Sequence, residues 1–514
     1  MRFSERFFAY GAYFLLVLPL LFLPLGFDFS VFFAGGKTIA NGGKLYVDFI
    51  DIKPPLVYYI FTVLYFLFKN NTFLYQLANF LFFFLTVILT FEVAKYIFKN
   101  KFVIFFSPIP MIMFVASFNY NYIFELELFF NLILVLSALL LFQKLNSLLT
   151  AILLGVLSGL AFGLKYTFGI VLVPILLYQF IEAENSLRRK LISVTIVSFL
   201  ITALLPFAIL YVQNGTLGDF GNVWKFLIYY QSTGFFSPKS IQRITNNIDT
   251  TIPVFYSLLF TITFFYGVWK IFLHWDRLDN KEKSFHAFLL LTFFFMFLSL
   301  IIEHQFLNYH FLRLAFILSI YSSFGLHLIF FEARQFPKTA KYFLALVLIF
   351  SLVFFTPLPR YIRTAIPTYL FFKNKEKYID YFENTSTANT LLRQHTTIAR
   401  LLNQNLARND TVMILGGAAQ IYTMINDCHI SAFPTSVFVL SRFKKPSEWE
   451  QRFLKELRTA KFLIIQDFDH NHFFGEEISS WEAFNRNPNY RKILNDRYKL
   501  VLETFSFYVF QRKE

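Results

Sequence analysis

Apolar residues fill this chain in long runs, and charge collects in the short stretches between them. Runs of about 17–25 apolar residues have the length of a bilayer-crossing helix. They fall near 7–25, 74–97, 102–118, 126–142, 148–164, 166–181, 191–212, 252–273, 285–302, 309–331 and 342–355. The segment 54–69, "PPLVYYIFTVLYFLFK", is short for a crossing and opens on two prolines, which suit a helix start.

Charge decides how these runs are threaded. If 54–69 stays at the surface as a juxtamembrane or half-inserted helix, the basic loops share one side with Arg2 and Arg6. Those loops carry Lys95/Lys99/Lys101, Lys144, Arg188/Arg189/Lys190, Arg277/Lys281/Lys283 and Arg334/Lys338/Lys341. If 54–69 crosses, every one of these clusters moves outside, against the positive-inside rule. The expectation is therefore about eleven spans with the N-terminus cytoplasmic. The stretch 27–53, the turn 119–124, the loop 213–251, the turn 303–308 and everything after Phe355 then share the opposite face. The start "MRFSERFFAYGAYFLLVLPLLFLPL" is basic like a signal peptide, but its run is long and lacks a small-residue cleavage site. It reads as an uncleaved first span.

Beyond about residue 357 the pattern changes. A basic amphipathic segment leads into a helix, a short apolar strand (Val412–Leu415), and Gly416-Gly417 opening another helix. "SEWEQRFLKELRTA" reads as a helix, and "TAKFLIIQDFDH" and "YKLVLETFSFYVFQRK" as strands. The expected organisation is a polytopic α-helical membrane domain over 1–356, whose first outer loop 27–69 holds juxtamembrane helices, followed by a small extracytoplasmic α/β domain over 357–514. "LGGAAQIY" (415–422) lacks dinucleotide-fingerprint spacing and reads as a tight strand–helix turn.

Composition agrees with a membrane protein: 56% hydrophobic, 15% charged, mean hydropathy +0.52. The formal charge of +15 is what basic cytoplasmic loops supply. No basic stripe is interleaved with base-stacking aromatics, so nucleic acid is not an expected partner. The single cysteine, Cys428, excludes an intramolecular disulfide and argues against a cysteine metal cluster. Most of the 75 phenylalanines are packing or lipid-facing mass.

Ionisable residues at helix ends that face one aqueous cavity are the functional candidates in such a chain. On the outer face they are Asp28, Asp48, Asp51, Lys53, Glu125, Glu127, Lys165, Glu303, His304, His310 and Arg313. Carboxylates converging from different helices suit general-base work on a hydroxyl or amine, and could equally bind a divalent cation. Glu125 and Glu127 are two apart, so on a helix they point in nearly opposite directions. Lys53, Lys165, His304, His310 and Arg313 could neutralise a lipid-linked phosphate at headgroup depth. His310 and Arg313 are spaced to share one helix face. Lys37 and Lys44 read as solvated loop cations, and Glu92 with Lys95 as a local i, i+3 pair.

The stretch "GFDFSVFFAGGKTIANGGKLYVDFIDIKPPLVYYI" (26–60) resembles the first extracytoplasmic loop of the GT-C glycosyltransferases. It is most similar to bacterial relatives of the protein O-mannosyltransferases and of the aminoarabinose lipid A transferase (glycosyltransferase family 39-like). There an acid follows the first helix, and an "A…G…Y.D…KPPL" run comes next. "FELELFFNLILVLSALLL" resembles the second acidic motif, "LLGVLSGLAFGLKYTFGIVLVP" the central hairpin, and "FAILYVQNGTLGDF" the lead into a long outer loop. The resemblance covers roughly residues 5–330.

It implies a hexosyl or pentosyl transferase in a bacterial cytoplasmic (inner) membrane. Such an enzyme would draw on a polyprenyl-phosphate sugar donor and glycosylate a lipid, glycan or protein acceptor among membrane lipids on the outer face. Asp28 matches the first-loop acid, implied to be the base on the acceptor; here Phe29 follows it, where many relatives carry a second acid. Lys53 matches the Lys of the "KPP" run, implied to contact the donor phosphate. Glu125 or Glu127 matches the second acid. "NYHFLRLAF" is similar to a late helix that presents His, Arg or Tyr to the phosphate, which carries His310 and Arg313. No cofactor is implied with certainty, and a divalent cation is left open. The alternative is a transporter or flippase of a lipid-linked saccharide, which would use the same cavity without a base.

Overall fold

The computed structural model describes residues 3–116, 123–144, 147–232, 258–303, 308–335, 337–354, 358–384, 391–441, 445–469 and 478–513. Within them the chain divides into two compact units. One gathers Met1–Leu23, Gln76–Leu205 and Gly234–Thr368; the other gathers Pro24–Tyr75, Pro206–Thr233 and Tyr369–Glu514.

Among its described residues the first unit is built from helices. Among the described residues of the chain, six helices are long and apolar enough to cross a membrane: Phe3–Phe22, Thr72–Ile97, Leu126–Gln143, Asn185–Asn214, Asn280–Glu303 and Tyr309–Ala333. The protein is thus a multi-pass helical membrane protein. Four of the other expected spans are shorter apolar helices: Lys101–Ala116, Leu148–Leu164, Tyr166–Glu182 and Leu259–Leu273. The eleventh coincides with the helix Lys338–Phe354. The helix Pro55–Phe68 has 14 residues and begins after Pro54 in an extended conformation.

Local chemistry sets the element ends. Asn100 caps the helix Lys101–Phe106 by accepting from the Phe102 and Val103 amides. Ser107-Pro108 divides this helix from Ile109–Ala116, because proline cannot donate to the helical ladder. Gly155 lets the helix Leu148–Leu164 approach its neighbour closely: a Cβ there would stand 2.4 Å from the Thr195 carbonyl oxygen. Such close approach is how helices pack where lipid supplies no hydrophobic drive. The expected local pair Glu92–Lys95 is present, and the Tyr10 hydroxyl also donates to Glu92.

The second unit holds the helix Phe27–Ala40 packed on Pro55–Phe68, and a five-stranded sheet. Strands β1 (Thr411–Leu415), β2 (His429–Ile430), β3 (Phe462–Gln466), β4 (Tyr498–Glu503) and β5 (Phe507–Arg512) lie in the order β2-β1-β3-β5-β4. β1 is parallel to β2 and β3, and β5 is antiparallel to β3 and β4. β3 is buried along its whole length, as a central strand's continuous apolar run requires. The helix Ser447–Thr459 precedes it, as the sequence predicts. Two expectations need correction. The helix Phe220–Ser232 occupies part of the expected loop 213–251, and Lys37 is wholly buried instead of solvated.

Candidate active site

The first-loop residues belong to the second unit. Asp28 lies in the first turn of the helix Phe27–Ala40, and the Lys53 ammonium stands 3.4 Å from its carboxylate. The same ammonium lies 5.8 Å from the centre of the Phe32 ring, one turn further along that helix. Lys53 is fixed from behind, because the Tyr46 hydroxyl donates to its carbonyl oxygen at 2.5 Å. Tyr46 itself is buried and adopts a positive φ of 57°. The side chains of Asp28 and Lys53 are 20% and 17% exposed, so a ligand can reach both.

The other two loop acids part company. Asp48 closes a turn, accepting from the Lys44 amide at 2.9 Å, and its side chain is half exposed beside Arg452. Asp51 is buried and accepts from the Tyr58 hydroxyl. Burial pushes its carboxyl above the usual aspartate range, against the Tyr58 hydrogen bond and Lys53, which pull it down. Phe29 faces inward, its ring 4.6 Å from that of Phe61. It is a buried core residue. Gly36 sits where the helices touch: a Cβ would lie 2.5 Å from the Phe61 carbonyl carbon. Lys37 donates to the carbonyls of Ile425 at 2.8 Å and Asn426 at 3.0 Å, with Asp427 at 3.9 Å.

The remaining candidates converge inside the first unit. Glu127 opens the helix Leu126–Lys144, Glu303 closes Asn280–Glu303, Lys165 follows Leu148–Leu164, and His310 and Arg313 lie on the 3₁₀ turn Asn308–Leu314. The Lys165 ammonium stands 2.7 Å from an oxygen of Glu127 and 2.7 Å from one of Glu303. Arg313 grips Glu303 with both terminal nitrogens at 2.9 Å and reaches Glu127 at 3.1 Å. It also donates to Ser299 at 2.7 Å and, through Nε, to the His310 carbonyl at 3.0 Å. His310 Nδ1 lies 3.4 Å from Glu303. Asn131 ties the turn to the first of these helices, donating to the Leu312 carbonyl at 2.7 Å and accepting from the Phe316 amide at 3.0 Å.

Two carboxylates thus face one lysine and one arginine, and the formal charges cancel. Arg313 is fully enclosed, whereas 14% of the Lys165 side chain is exposed. Glu125 is buried just ahead of the helix; the carboxylate that binds Lys165 and Arg313 is that of Glu127. His304 lies outside the described residues. The sequence marks Glu303 only as one acid on the outer face, and Thr167, which donates to it, not at all. A glutamate ending an otherwise apolar span is the signal that could have raised its rank.

Residues 52–210 match the family model described as "Dolichyl-phosphate-mannose-protein mannosyltransferase". No curated protein matches the chain in sequence. Among solved structures, the fold is similar to the crystal structure of ArnT from Cupriavidus metallidurans bound to undecaprenyl phosphate. The TM-score is 0.59 at 13% identity, over 99% of this chain and 98% of that one. The resemblance of the chain to the GT-C glycosyltransferases therefore extends to its fold and, over 52–210, to a family's sequence pattern.

Proposed function

We propose that this protein is a glycosyltransferase that moves a sugar from a polyprenyl-phosphate donor to an acceptor hydroxyl or amine on the extracytoplasmic side of the membrane. The observation that carries the reading is the open Asp28–Lys53 pair, held at a helix start and by Tyr46. A base and a phosphate-sized cation side by side are what this transfer needs.

Asp28 takes the proton of the acceptor while the acceptor atom bonds to the anomeric carbon. The bond from that carbon to the phosphate oxygen breaks, and its electron pair leaves on the polyprenyl phosphate. Lys53 meets the charge that develops there. Within the pair each residue engages the other. Donor phosphate competes for the Lys53 ammonium and so frees the Asp28 carboxylate for the acceptor. Lys165 gives its ammonium to Glu127 and Glu303, and with 14% of its side chain exposed it is a further candidate cation for an anionic group. Arg313 and His310 act through the two glutamates as positioning residues. On this reading 1–356 is the membrane catalytic domain and 357–514 an outer domain, the side being argued from the basic loops. The likeness of the fold to ArnT supports a polyprenyl-phosphate ligand.

The test uses purified protein with a panel of polyprenyl-phosphate sugars. One donor should be consumed, and Asp28→Asn should cut turnover steeply while donor binding survives. A variant that turns over normally overturns the base assignment. Donor binding without any consumption across acceptors favours the transporter.

A further inference from the structure

Glu127, Glu303 and His310 place one ligand atom each within 4.8 Å of one another, all three residues buried. Two carboxylates and an imidazole at that separation are a ligand set that zinc, manganese or cobalt accepts. We infer that in this protein the cation of that site is the Lys165 ammonium, standing where a divalent metal would otherwise bind.

The geometry carries the inference in two steps. The Lys165 nitrogen is 2.7 Å from Glu127 Oε1 and 2.7 Å from Glu303 Oε2, so it bridges the two acids as a metal would. A metal bonded to either of those oxygens at about 2.1 Å would stand within about 5 Å of the ammonium. Charge is the second step. Lys165 and Arg313 already balance Glu127 and Glu303 in a largely buried cluster. A divalent ion would add two positive charges to a cluster whose charges already cancel, and to bridge the two acids it would first have to displace the ammonium between them. Removing the ammonium reverses both conditions: it vacates the position between the acids and leaves the cluster one charge negative.

The inference does not depend on the transferase reading, because metal binding is measured without turnover. Full-length, tag-free protein in detergent is stripped with chelator and dialysed against Co²⁺, and the metal retained and its visible ligand-field absorption are recorded. Wild type should retain no more Co²⁺ than Glu303→Gln. Lys165→Ala should take up about one equivalent with a new absorption band, and Lys165→Ala combined with Glu303→Gln should lose it. Lys165→Gln is run in parallel, in case the alanine variant does not fold. Glu303-dependent Co²⁺ in wild type overturns the inference. So does a folded lysine variant, by melting curve, that takes up no metal.

Discussion

The Lys53 ammonium stands 3.4 Å from the Asp28 carboxylate, across 25 residues of chain, and both side chains stay open to solvent. The pair is partly buried yet keeps a path to solvent, so a ligand can compete for either group. Asp28→Asn is expected to lower kcat about 10²–10⁴-fold with donor affinity kept, the span that general-base catalysis covers. Lys53→Met should act mainly on donor KM, and Lys53→Arg should restore part of it. Steady-state kinetics with a radiolabelled donor separate these outcomes.

Arg313 behaves differently because it is enclosed. Its guanidinium answers Glu303 through two parallel bonds and Glu127 through a third. Arg313→Met would strand both carboxylates beside a single lysine, and removing one partner of a buried pair costs about 3–5 kcal/mol. A clear drop in melting temperature in detergent is expected. Arg313→Lys should recover little, since an ammonium cannot reproduce the planar fork. An unchanged melting curve for Arg313→Met would show that the cluster holds no structural charge.

How much of this the sequence discloses depends on what surrounds each residue. Asp28 and Lys53 stand out as charges against an apolar background, and Lys53 lies within the stretch 52–210 that matches a family model. The six long apolar helices follow from run length, and β1, β3 and the strand character of the stretch that holds β4 and β5 from periodicity. Glu127, Lys165 and the pair of Glu303 with Arg313 come from three separate stretches of the chain, and no periodicity links them. Lys37 fails for the same reason: the carbonyls it donates to are 388 and 389 residues away, so pattern alone leaves it a loop cation. The 3₁₀ turn at Asn308–Leu314 also alters the helix-face argument for His310 and Arg313. With three residues per turn it sets i and i+3 directly in line, and both residues reach Glu303.

Gly36 tests the packing beneath Asp28. In a helix interior, alanine is ordinarily better than glycine by roughly 0.5–1 kcal/mol. Here the added Cβ would meet the Phe61 backbone at 2.5 Å, which cannot rotate away as a side chain could. Gly36→Ala should therefore destabilise by about 1–3 kcal/mol, the range of overpacking. It should also lower turnover by tilting the helix that carries Asp28. A gain in thermal stability would mean that the two helices have room to separate.

Asp51 sets a pH dependence whose sign follows from burial. Its carboxyl is raised above 3.8, the folded protein favouring the protonated form. A group raised in the folded state contributes stability that is complete below its unfolded pKa and is lost as pH rises through the folded value. Wild type should therefore weaken as pH climbs from about 4 toward that raised value, by the part Asp51 supplies. Asp51→Asn keeps an oxygen to accept from Tyr58 and carries no charge to desolvate. The difference in melting temperature, variant minus wild type, should be small at acid pH and grow in the variant's favour toward neutrality. A difference that stays flat across pH would mean Asp51 is ionised without penalty, and one of opposite sign would mean that Lys53 needs its charge.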